Sequence, residues 1–302
     1  MIVAGFVWRA DSIAPERSLA RAWALRGELG DDRPIGLALG WFSDDARILG
    51  RWIENAEPGL RRASGGPTIV APAGTIHVAL GLRDASLLLD TPADKLLNRN
   101  VRGILRGLGA QYFGRELISV GPDPIGVLGW ARDRERRVLI EAFIGVDAPV
   151  KIVACDRDRD PLRGRSPSCL RAVGRSDTPG QLLDRLIDAH ARLGHGAAFE
   201  PSRAVIAGQI DELRPEVCWT ATVDASIGRV MLGRDRNGML HLGGEAFADD
   251  DFCEWLDDAL ARFESSDVVN WMIAEGRIEG LSRTELRTWI DQLAARSPPG
   301  SA

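Results

Sequence analysis

Lysine is nearly absent from this chain. Only Lys95 and Lys151 stand among 38 basic residues in 302, so chemistry that needs a compact, movable ammonium has two candidates. Long apolar runs are missing as well. No stretch nears the roughly twenty residues that span a bilayer. The opening Met1 to Trp8 has no positive lead-in and reads as a first strand rather than an export signal. No membrane association and a cytoplasmic location are expected. The four cysteines, Cys155, Cys169, Cys218 and Cys253, lack the close pairing of a zinc site and the density of a disulfide scaffold, so reduced thiols are expected. His77, His190, His195 and His241 show no ligand spacing, which argues against a metal site. The net charge of −5 comes with scattered arginines and no basic footprint for nucleic acid. Serine-hydrolase, Walker and dinucleotide signatures are absent. What remains is an ordinary globular composition, 45% hydrophobic and 27% charged, long enough for one large or two unequal domains.

The element signals point to an α+β fold: a mixed or antiparallel sheet flanked by helices, with a small C-terminal α+β accessory unit. Ser12 to Leu29 places Leu19, Ala22, Trp23 and Leu29 on or near one helical face, with Pro15 in an early turn and a break at Gly30. A buried strand from Pro34 to Phe42 and a short helix from Ala46 to Trp52 follow. Thr68 to Val70 and Thr75 to Leu80 read as a sheet hairpin about Pro72-Ala73-Gly74. The next helix is punctuated by Thr91 as cap, Pro92 in the first position and Gly109 at the end. Strands are expected at Leu117 to Val120, Gly126 to Ala131 and Arg137 to Gly145, and a charged surface loop at Asp156 to Arg165. Thr178 and Gln181 form a capping box ahead of Leu182, Leu183, Leu186 and Ile187. The segment Gly196 to Arg203 separates a domain at 1–196 from one at 203–302. In the latter, strands are expected at Trp219 to Val223, Gly228 to Gly233 and Met239 to Gly244. Two helices follow, the last capped by Ser282 and Glu285. Asp249-Asp250-Asp251 reads as a helix start whose charge suits the macrodipole.

Arg61-Arg62-Ala63-Ser64-Gly65-Gly66 is the most specific motif. A glycine-rich turn lets backbone approach a ligand, and exposed N–H groups beside arginines can hold a phosphate or carboxylate. The same pattern also makes an ordinary turn. Ile35 to Phe42 followed by this hexapeptide resembles, in order and spacing, the two leading signatures of lipoate–protein ligases, within the biotin and lipoate protein ligase family. Gly114 to Val120 and then Gly126 to Arg132 resemble the strand pair that leads into the family's lysine-x-x-glycine motif, with Gly129 as its glycine. Gly228 to Phe247 and the helix to Phe263 are similar to the accessory domain of many lipoate ligases. The resemblance implies binding of a lipoyl or octanoyl group, activation by ATP as an acyl-adenylate with Mg only through ATP, and transfer to a lysine of a lipoyl carrier domain protein. It makes Arg61, Arg62, Ser64, Gly65 and Gly66 the cradle residues, bordered by Gly129. Trp41 and Phe42 then wall the apolar pocket, although core packing explains them equally. His77 is a further site candidate, or simply a polar residue on one sheet face.

The departures from the family pattern are specific. Pro67 replaces a third glycine, Ala71 and Pro72 stand where a histidine-aspartate pair is common, Ala79 replaces a serine, and Gly126 occupies the position of the catalytic lysine. Lys151-Ile152-Val153-Ala154 resembles the lysine motif of the related octanoyltransferases, and Cys155 follows it directly. Lys151 and Cys155 are the catalytic candidates, because a thiolate favoured by a neighbouring cation can carry an acyl group as a thioester. A strand-end lysine and a buried thiol is the alternative. Two functions stay open: an acyl ligase or transferase, and a catalytically degenerate relative used for binding or regulation.

Overall fold

The computed structural model describes residues 3–54, 58–88, 96–112, 116–153, 160, 162, 164–193, 197–201, 216–225 and 228–296. The chain begins with β1 (Val3–Ile13), α1 (Pro15–Gly27), β2 (Ile35–Phe42), β3 (Ala46–Leu49), β4 (Leu60–Arg61), β5 (Thr68–Ala71) and β6 (Ile76–Leu82). Next come α2 (Leu96–Asn100), α3 (Arg102–Leu108), β7 (Gln111–Tyr112), β8 (Leu117–Val120), β9 (Asp123–Arg132), β10 (Val138–Ile144) and β11 (Lys151–Val153). α4 (Pro179–Ala191) and β12 (Ala197–Pro201) complete the larger part. The C-terminal part holds β13 (Val217–Ala225), β14 (Gly228–Asp235), β15 (Leu240–Gly244), β16 (Phe247–Ala248), α5 (Phe252–Arg262), α6 (Ser265–Glu275), β17 (Ile278–Glu279) and α7 (Arg283–Arg296).

An eight-stranded mixed sheet, in the order β12-β1-β2-β6-β10-β9-β8-β7, forms the framework. β12, β1 and β2 run parallel and the remaining neighbours antiparallel. A parallel β1–β2 pair needs a crossover, which α1 supplies. Strand alternation then sorts the residues onto two faces. Leu37, Leu39, Val78, Leu80 and Ile140 pack with Ile104 and Leu108 of α3 and Leu182 and Leu186 of α4. Ala38, Ala79 and Leu139 point the other way, into a cluster with Ala22 and Leu25 of α1 and Ala63 of the glycine-rich loop. On that second face lies a smaller sheet, β11-β5-β3-β4, whose Ile48 and Ile69 join Phe42 and Phe143. No helix among the described residues is long and apolar enough to cross a membrane.

The α+β class, the strands β2, β8, β9 and β10, and both capping boxes agree with expectation. Several local expectations do not. β1 runs through Ile13, so α1 starts at Pro15, where the fixed φ of proline sacrifices no helical bond. Ala46–Leu49 is strand β3, not a helix, because it pairs with β5 and β4. β5 and β6 do not form a hairpin. The turn at Pro72 is present, with Thr75 N–H donating to Pro72 O at 3.1 Å, but the strands enter different sheets. The segment read as an interdomain linker contains β12, which adds to the large sheet beside β1. The Thr91–Pro92 cap and most of the expected Asp156 to Arg165 loop lie outside the described residues, whereas Gly109 ends α3 in the left-handed region at φ 61°.

Candidate functional site: the glycine-rich loop

The loop Arg61 to Gly66 sits on the face shared with α1, and its geometry follows from what each residue is bonded to. Arg61 Nη1 donates to the carbonyls of Gly50, Arg51 and Ile53 at 2.7–3.0 Å. Arg62 is wholly buried. Its Nε donates to Ser64 O, and its Nη2 donates to Gly65 O and Pro67 O, both at 3.0 Å. Burial pushes its guanidinium down to about 10, against the opposing charges of Glu141, Glu116 and Glu245. Both arginines therefore spend donors on shaping the loop.

The amides of the glycine pair are also occupied. Gly65 N–H donates to Trp130 O at 2.9 Å, and Gly66 N–H donates to Ala246 O at 3.0 Å. The carbonyl of Ala246 comes from the C-terminal part and rests against the loop. A methyl at Gly65 would overlap it, and at Gly66, where φ is +105°, a methyl would stand 2.6 Å from Phe247 Cε1. Only glycine admits that backbone contact at both positions. Gly129 has a matching role on β9, since any side chain there would collide with Ser64 Oγ. Its requirement is close packing of loop on strand.

Beneath the loop lies a polar core. Ser64 N–H donates to Glu141 Oε2 at 2.8 Å, and Glu141 Oε1 meets His77 Nε2 at 3.1 Å. His77 Nδ1 meets Ser18 Oγ of α1 at 2.8 Å, and the imidazole stacks on Phe143 at 4.6 Å. Burial alone would raise the Glu141 carboxyl. The bonds from His77 and Ser64 and the nearby Arg62 instead hold it below the usual carboxylate range. Two polar atoms in this region, Arg62 Nη1 and Ser64 Oγ, are buried without a hydrogen-bond partner among the described residues.

The structure thus joins Arg62, Ser64, Gly65, Gly66, Gly129 and His77 in one place and separates the others. Phe42 lies near His77, with ring centroids 5.8 Å apart. Trp41, one residue earlier, faces the opposite side of the sheet and packs against the α3–α4 core, so the two aromatics do not wall one pocket. Lys151 is exposed on β11, an edge strand of the small sheet, in register with Val70. Cys155 lies outside the described residues. Gly126 is paired in the sheet between Ile118 and Ile144, and a methyl there would lie 2.7 Å from Phe143 O. Sequence reasoning missed Glu141 and Ser18. Glu141 had a signal, being the one acid in the otherwise apolar strand Val138–Ile144.

The three aspartates before α5 also acquire a different meaning. Asp249 accepts from Arg132 Nε at 2.7 Å and Nη2 at 2.8 Å, with both side chains almost completely buried. Asp250 pairs with Arg26 of α1 at 3.0 Å and with Arg51 at 2.9 Å, and Asp251 with Arg277 at 3.3 Å. Asp249 ties the C-terminal part to β9, Asp250 ties it to α1 and to the segment after β3, and Asp251 pairs within the C-terminal part itself; α5 starts directly after them at Phe252, as expected, so the charges do more than suit its dipole. No cluster of three or more potential metal ligands exists among the described residues.

The architecture places the chain among proteins with the fold of the lipoate–protein ligases. No family model matches the sequence, and no curated protein matches it. Among solved structures, the chain is similar to Plasmodium falciparum LipL1 in complex with lipoate, at TM-score 0.58 and 11% identity over 95% of this chain and 99% of that one. It is also similar to a chain from the bi-partite lipoate protein ligase and E2 lipoyl domain of Thermoplasma acidophilum, at TM-score 0.51 and 17% identity, covering 66% and 87%. At such identities the likeness is one of fold.

Proposed function

We propose that this chain is a lipoate-ligase-like protein that binds a lipoyl or octanoyl group and does not activate it as an adenylate, serving as a binding or regulatory relative. The carrying observation is how the loop's donors are distributed. The Gly65 and Gly66 N–H groups, which would cradle a nucleotide phosphate, are bonded to Trp130 O and Ala246 O. Arg62 Nη1 and Ser64 Oγ remain unpartnered in a buried place. Two such donors suit the carbonyl or carboxylate oxygen of an acyl group, and buried polar atoms without partners call for a bonding role. With no lysine at Gly126, nothing there supplies the compact cation that acyl transfer requires beside the reacting carbonyl. By analogy of fold, a lipoyl carrier domain is the protein partner.

Calorimetry with lipoate, octanoate and Mg·ATP separately, followed by assay for acyl-adenylate and for transfer to a carrier domain, tests this reading. Binding of an acyl acid without adenylate is expected. Adenylate formation or transfer would reinstate the ligase, and failure to bind either acid would remove the site altogether. A transferase reading draws on Lys151, exposed four residues before Cys155. It requires a hydroxylamine-labile acyl adduct that Cys155→Ser abolishes.

A further inference from the structure

The face of the large sheet opposite the glycine-rich loop carries a concentration of positive charge that the site does not use. Arg99 of α2 and Arg102 and Arg106 of α3 recur at i, i+3 and i+7, and Val101 between the helices keeps right-handed helical geometry. They share one helical face and span about 10 Å along it. None of the three has a carboxylate partner among the described residues. Elsewhere on the surface arginines pair readily: Arg171 with Asp147, Arg229 with Asp224, Arg262 with Asp258 and Arg287 with Asp291.

Beside this ridge runs a groove of about 280 Å³ between α3 and α4, lined by Arg106, Gly107, Arg185, Asp188, Ala189 and Arg192. Gly107 brings the helices together, since a methyl there would stand 2.9 Å from Leu186 Cδ2. Among the described residues, the acids near the groove are shared with arginines. Asp188 is 3.7 Å from Arg192, and Asp177 serves both Arg175 and Arg185. Asp184 is taken by Arg9. In a chain of net charge −5, this leaves Arg99, Arg102 and Arg106 as a cationic strip with no carboxylate partner among the described residues.

We propose that the α2–α3 ridge and the α3–α4 groove are a docking surface for an acidic protein segment with carboxylates spaced along about two helical turns. Guanidinium groups bind carboxylates through paired N–H donors. Among the described residues the groove has no aromatic lining on which a base could stack, and the net negative charge of the molecule opposes a long polyanion. The surface lies across the sheet from the glycine-rich loop, so its occupant leaves the loop uncovered, and its test is independent of acyl binding.

The test is fluorescence anisotropy of a labelled oligoglutamate peptide at low and at physiological ionic strength, with an oligonucleotide of equal charge as competitor. The unmodified protein should bind the peptide, and salt should weaken the complex. The variant R99E/R102E/R106E should bind roughly tenfold or more weakly. R106E/R192E, confined to two exposed positions, should show the same direction and guards against misfolding of the triple variant. R229E/R236E on the C-terminal part should leave binding intact. Unchanged affinity in both groove variants, equal loss in the control, or preferential binding of the oligonucleotide would overturn the proposal.

Discussion

Replacing Asp249 by asparagine tests how the C-terminal part is held against the glycine-rich loop. Asp249 and Arg132 form two bonds of 2.7 and 2.8 Å. Their side chains are only 2% and 3% exposed, so solvent hardly screens the pair. Arg132 also donates to the carbonyls of Glu275 and Gly276. Removing one charge from such a pair costs about 3–5 kcal/mol, because the other is left buried and uncompensated. Burial pushes the Asp249 carboxyl up to about 6 despite Arg132 and Arg277, so part of its charge carries a penalty that asparagine relieves. The lower end, about 3 kcal/mol, is expected for D249N. Chemical denaturation at neutral pH measures it. Hydrogen exchange of the Gly66 amide, bonded to Ala246 O three residues before Asp249, reports whether the loop is released and should accelerate. The apolar pair R132M/D249L should be less destabilised than D249N, since neither charge is stranded. A loss under about 1 kcal/mol with Gly66 exchange unchanged would refute the reasoning.

Three further outcomes follow from the same kind of bookkeeping. The His190 ring is fully buried between α4 and α3 and held down to about 4; this depressed value gives stability that is complete above 6.5 and lost as pH falls towards 4, about 3 kcal/mol in all. H190Q should therefore flatten the acid limb of a denaturation-midpoint profile, and an unaltered limb would exclude His190 as its source. R62M should destabilise by about 3 kcal/mol because three carbonyls lose their donor, and should also abolish acyl-acid binding in calorimetry; normal stability would refute the loop-shaping role, and unchanged acyl affinity would refute the ligand role. G126K, which restores the family's lysine, should cost about 2 kcal/mol through overpacking against Phe143 O and yield no acyl-adenylate by mass spectrometry.

What could be read directly from sequence was whatever depends on neighbours along the chain. The capping box at Thr178 is local: Gln181 N–H donates to Thr178 Oγ1, and Thr178 N–H donates to Gln181 Oε1. Ser282 and Glu285 repeat it. β3 was hidden because the four residues Ala46 to Leu49 are too short to show either period, and pairing of Ile48 with Ile69 and Leu60 is what selects a strand. The turn at Pro72 looks the same whether its flanking strands pair or part into separate sheets. The state of the glycine pair was least legible. Its motif lies within six residues, yet the carbonyl that engages Gly66 belongs to Ala246. No local pattern encodes an acceptor brought by tertiary packing.

β12 also bears on how the chain is made. It lies parallel to β1, Val3 beside Ala197 through Val7 beside Pro201, so β1, once synthesised, waits for nearly two hundred further residues before that side of it is covered. Contacts of such sequence separation form late, and an unpaired strand edge is a template for other chains in the meantime. During translation β1 can gain β2 early, while its other edge stays open until Pro201 is free to fold. A nascent or truncated product ending before Ala197 carries that open edge on an otherwise nearly finished sheet, and is the form of this protein most exposed to aggregation.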